Sequence, residues 1–100
     1  MSRKRPAQYP LLLEIGKRPY HIVFVKKLPG AVGLFDDDCD TIFLSRDQDS
    51  FEMQATFFHE ILHAIEKEYR LELGHPKIKK LEYALREVFN QLLEHHKKRL

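Results

Sequence analysis

A single cysteine, Cys39, leaves no intramolecular disulfide to staple this chain, and a lone thiol fits a reducing compartment better than secretion. Long apolar runs are missing too. The first, "YPLLLEI", is interrupted by Glu14 and Gly16, too short for a signal-peptide core and far from the ~20 residues of a membrane span. Charge of one sign is also scarce: 17 Lys and Arg against 15 Asp and Glu leave a net charge of +2. Only the ends, "MSRKRP" and "HHKKRL", are basic. They read as solvated tails and offer nucleic acid its one route of contact. No repeat or low-complexity segment appears. What is present, 43% hydrophobic and 32% charged residues in a chain of 100, is the composition of one soluble domain, expected to be cytoplasmic. A chain this short has no second lobe, so any site must be built on the core elements themselves.

Residues 1–10 read as a flexible basic arm, and 11–100 as a single domain. "LLLEI", "GKRP" and "YHIVFV" give two strands and a turn punctuated by Gly16 and Pro19. After the loop "LPGAVG", a short strand near Leu34 and Phe35, an acidic turn and the strand "TIFLS" follow. The expected sheet is a small antiparallel β-meander. From Ser50 to Leu73 the period becomes helical, with Asp49 or Ser50 as N-cap, Glu52 in the first turn and Gly74 at the C-terminus. Pro76 can open a second helix that runs nearly to the end. The fold class is therefore α+β, a meander followed by two helices.

On a wheel of ~100° per residue, Phe51, Phe58, Leu62, Ile65 and Tyr69 share one broad side of the first helix, expected to be core. His59 and His63 lie at its edge, one turn apart, where a half-buried metal site belongs. On the second helix, Ile78, Leu81, Leu85, Val88, Phe89, Leu92 and Leu93 form an apolar arc, and Glu82 falls inside it. A carboxylate in a core-facing stripe is costly unless something neutralises it, and a zinc ion held by two neutral imidazoles would do so.

The spacing is His59-Glu60-x-x-His63-x18-Glu82. It resembles the gluzincin metallopeptidases, whose zinc is bound by the two histidines and a distal glutamate. More broadly, the chain is similar to the small ImmA/IrrE-like zincins of phage and bacterial genomes, from "LLLEIGKRPYHIVFV" through "GLFDDDCDTIFLS" and "FFHEILHAIE" to "KLEYALREVFNQLL". HExxH is the specific part of that likeness. The resemblance implies one Zn2+ per chain on His59, His63 and Glu82, a fourth position for water, and Glu60 as general base in peptide-bond hydrolysis. It also implies a peptide or protein substrate, with "TIFLS" as the sheet-edge strand that pairs with it.

His75 is the rival third ligand, because Gly74-His75 resembles the glycine-histidine step of SprT-like proteins, although only eleven residues separate it from His63. Glu66, three residues beyond His63 and so one turn on, either hydrogen-bonds a liganding imidazole or is solvated. His75, Tyr69 and Tyr83 are candidates to steady an oxyanion. His21, His95 and His96 read as bystanders. Tyr69 stands where a metzincin-type third histidine would fall, which sets that variant aside. Asp36, Asp38, Asp40 and Asp47 match a calcium-loop spacing, but Thr41 occupies the glycine position, so a solvated acidic turn is the better account. Two alternatives to catalysis stand beside the peptidase reading: a structural zinc site, and a metal-free interaction or regulatory module.

Overall fold

The computed structural model describes residues 11–99; the arm expected over residues 1–10 lies outside the described residues. Four strands, β1 (Leu11–Ile15), β2 (Arg18–Val25), β3 (Gly33–Asp36) and β4 (Thr41–Ser45), precede two helices, α1 (Ser50–Glu68) and α2 (Gly74–Arg99). The class is α+β. The first hairpin turns on Gly16 and Lys17, both at positive φ, the pair of left-handed residues that a two-residue turn matched to strand twist requires.

The sheet is mixed, with order β1-β2-β4-β3, and not the expected antiparallel meander. β4 runs parallel to β2, with His21 opposite Thr41 and Val25 opposite Ser45, and antiparallel to β3. Its residues explain the placement. "TIFLS" is buried at every position but one, so it belongs between two neighbours, and the loop over residues 26–32 is long enough to carry the chain outward to β3. "TIFLS" is therefore an interior strand, which overturns its expected role at the edge. The edge beside α1 is β3.

Tyr20, Ile22, Ile42, Leu44 and Ala64 form the centre of the core, with Met53, Phe57 and Ile61 of α1 packed against it. Of the stripe expected for α1, Ile65 packs against this core and Leu62 is buried, but the two ends of the stripe are not. Phe51 and Tyr69, assigned to the core, are 61% and 59% exposed. The reason is that α1 is covered on two sides: Met53, Phe57 and Ile61 meet the sheet, while Phe58 packs edge-on against Phe89 of α2. A single wheel sector cannot describe a helix lying between two layers. At its start Asp49 is the N-cap, in a reciprocal capping box with Glu52. Its end comes at Glu68, earlier than the expected Leu73, because Arg70 takes the left-handed turn at φ 54°.

The buried Tyr20 hydroxyl donates a hydrogen bond to Glu68 at that end, and Arg18 pairs with both Glu68 and Asp40. Lys67 adds contacts to Asp40 and to the Asp37 carbonyl. Sheet and helix end are thereby fixed relative to each other. α2 packs on α1. Of its apolar arc only Ile78 is buried, and Val88 remains 64% exposed, because α2 reaches well past the surface that α1 offers it. No helix among the described residues is long and apolar enough to cross a membrane.

Candidate metal centre

Two histidines at i and i+4 project from one helical face, and here His59 Nε2 and His63 Nε2 lie 3.3 Å apart. Two nitrogens bound at 2.0–2.1 Å to one tetrahedral ion stand about 3.3 Å from each other. That distance suits two donors of a shared ion and equally a hydrogen bond from one neutral imidazole to the other.

The chain reversal after α1 brings in a third imidazole. Leu71 N bonds back to the Glu66 carbonyl, and the Glu66 side chain accepts from Leu73 N at 2.9 Å and Gly74 N at 3.0 Å. These contacts start α2 beside the C-terminal half of α1, so His75, in the first turn of α2, falls against the pair on α1. Its ring centre is 4.9 Å from that of His59 and 5.9 Å from that of His63. One donor atom from each of the three histidines lies within 4.8 Å of the other two.

Glu82 reaches the same place from the next turns of α2. Its Oε1 lies 3.2 Å from Nδ1 of His59, and its Oε2 3.6 Å from Arg86. The carboxylate is only 13% exposed, more buried than its apolar neighbour Leu81 at 40%. Its counter-charge is supplied by Arg86. Arg86 is absent from the site expected on sequence grounds, although an acid and an arginine four apart on a helix are a readable pair. Glu66 stands behind His63 in the same way, with Oε1 3.7 Å from Nδ1. Each HExxH imidazole therefore has a carboxylate near its Nδ1, while the two Nε2 atoms face one another.

Glu60 is half-buried beside the edge strand. A Cβ on Gly33 would meet Thr56 Cγ2 at 2.5 Å and Glu60 Oε2 at 3.1 Å, so β3 lies this close to α1 only because Gly33 has no side chain. Burial pushes the Glu60 carboxyl above the usual carboxylate range, with the neighbouring His59 opposing the shift. Burial and the neighbouring His59 push His63 down, against the pull of Glu66, and favour the neutral imidazole that binds metals. Backbone N–H donation from Gly74 holds Glu66 below its ordinary value and keeps it ionised.

Two hollows flank the histidines. One, of about 340 Å³, lies at the Gly33 end of β3 and is lined by His59, Glu60, His75 and Lys79. The other, of about 460 Å³, lies at the Phe35 end and is lined by His63, Glu66 and Arg70. Tyr69 and Tyr83 line neither hollow. Asp40 of the acidic turn is held by Lys67 and Arg18, and its pKa is depressed first by the Lys67 hydrogen bond. Comparison of the chain with family models, curated proteins and solved structures finds no match.

Proposed function

We propose that this chain is a zinc-dependent metallopeptidase. The observation that carries the reading is the 3.3 Å separation of the His59 and His63 Nε2 atoms, each imidazole backed by a carboxylate, with Glu60 beside them. Nitrogen donors from three imidazoles suit zinc, and a three-residue donor set leaves one tetrahedral position for water. His59, His63 and His75 would hold the ion, with Glu82 and Glu66 orienting the first two imidazoles from behind. This ligand set departs from the gluzincin pattern, in which Glu82 would bind the ion directly. The low exposure of Glu82 and its place beside His59 keep that second arrangement in view.

A zinc ion in this place would polarise the scissile carbonyl and make a water molecule more acidic. Glu60 accepts the proton from the attacking water and delivers it to the leaving amine, work for which a pKa raised by burial is suited. The substrate lies extended along β3, whose outer edge has no neighbouring strand among the described residues. Such a peptide passes from one hollow to the other across the histidines. The test compares wild type with Glu60→Gln after zinc loading and metal analysis. One zinc per chain in both, with cleavage of a peptide library by wild type alone and a loss of roughly 10²–10⁴-fold in the variant, is expected. Equal cleavage would remove Glu60 from the chemistry, and absence of bound zinc would remove the reading itself.

A further inference from the structure

The hollow at the Gly33 end of β3 holds one feature that the proposed hydrolysis does not use. Lys79 lines it from α2, across from Gly33 and Glu60, and is exposed. The carboxylates sharing that wall are already engaged: Glu82 lies against His59 and Arg86, and Glu60 serves the water in the reading above. Among the described residues the Lys79 ammonium has no ion-pair partner. An unpaired cation in the wall of a cleft concentrates and orients anionic groups that enter it.

Resting on the peptidase reading, we infer that Lys79 selects substrates carrying a carboxylate in the half of the peptide C-terminal to the scissile bond. Direction follows from the sheet. β3 ascends from Gly33 beside the Lys79 hollow to Phe35 beside the His63 hollow. A peptide added antiparallel, the slightly stronger pairing, runs the opposite way, so its C-terminal half occupies the Gly33 end within reach of Lys79. Two sources supply the same group there, an Asp or Glu side chain and the chain-terminal carboxylate. At the far end three acids, Glu66, Asp37 and Glu72, outnumber the two bases Lys67 and Arg70, and Lys67 is held by Asp40, which does not favour an acid in the N-terminal half.

The experiment measures binding, not turnover, on zinc-loaded Glu60→Gln protein whose metal content is determined in the same preparation. Fluorescent peptides cleaved by wild type are compared in four forms: neutral with an amidated end, with Glu in the C-terminal half, with a free C-terminal carboxylate, and with Glu in the N-terminal half. About fivefold tighter binding of the second or third form over the first is expected, fading at high salt. Which of the two gains identifies the source. Lys79→Met in the same background should abolish the preference and Lys79→Glu should reverse it, while Lys80→Glu, which does not line the hollow, should leave it intact. Retained zinc with no preference, a preference for Glu in the N-terminal half, or a preference unchanged by Lys79→Met overturns the inference and leaves the metal reading standing. Loss of zinc, seen in the metal analysis, defeats both.

Discussion

An imidazole offers two nitrogens, and which of them faces an ion depends on what occupies the other. Glu82 beside Nδ1 of His59 leaves Nε2 for the centre, and Glu66 leaves the same atom of His63. The two variants that separate the ligand schemes therefore have different expected effects. Glu82→Gln keeps a hydrogen-bonding group behind His59 and should weaken zinc binding by about 10–100-fold without abolishing it. His75→Ala removes a donor and should leave no stoichiometric zinc under the same conditions. Competition titration against a chromogenic chelator reads both, and the reverse ranking would make Glu82 the third ligand. Glu60 supplies a second test through its protonation. Its folded pKa is raised above the unfolded value by burial, so the folded state is favoured at pH below the unfolded value and loses that advantage as pH rises through the folded one. Metal-free Glu60→Gln should accordingly melt a few degrees above metal-free wild type at neutral pH. The gap should close as pH falls into the ordinary carboxylate range, and a melting temperature at or below wild type at neutral pH would contradict the burial cost assigned to Glu60.

At the scale of elements, the close approach of β3 to α1 hinges on Gly33. The added methyl of Gly33→Ala would meet Thr56, which is buried and tied to the Glu52 carbonyl, so the strand must move outward. A loss of roughly 1–3 kcal/mol is expected from overpacking, together with a fall in kcat at unchanged zinc content. Thr56→Ser deletes the methyl that clashes and should recover most of both losses in the double variant; failure of that rescue would mean that Gly33 acts through something other than the contact. The elements themselves were legible, because alternation, turn residues and the Asp49 capping signal are local properties of the chain. Strand order was not. Local pattern marks "TIFLS" as a strand, but its parallel pairing with β2 depends on burial of both its faces, which only the assembled layers decide. The site divides along the same line. His59, Glu60 and His63 are fixed by helical spacing, whereas the nearness of His75 depends on the left-handed Arg70 and the Glu66 carboxylate, two features without a spacing rule. Glu82 was visible as an acid out of place in an apolar arc, and Arg86 shows that an ion is not the only group able to neutralise it.

For the molecule as a whole, the three histidines join parts of unequal support. The sheet and the inner side of α1 share a buried core, while α2 rests on α1 with Ile78 its one buried apolar residue and with Phe89, 38% exposed, set edge-on against Phe58. Sparse burial makes α2 the element expected to open first. An ion held by His59 and His63 on α1 and by His75 at the start of α2 would clip the two helices together, and binding that requires the closed form stabilises it by mass action, about 4 kcal/mol at a thousandfold excess over Kd. Hydrogen exchange should therefore show a regional effect. Adding zinc should slow exchange of α2 amides strongly, while those of β2 and β4, protected up to the global unfolding limit, should change only as overall stability does. His75→Ala should erase the α2 protection without altering the sheet of the metal-free protein. Uniform protection of all elements by zinc would mean that α2 does not open separately, and no protection of α2 would mean that the ion does not span the helices.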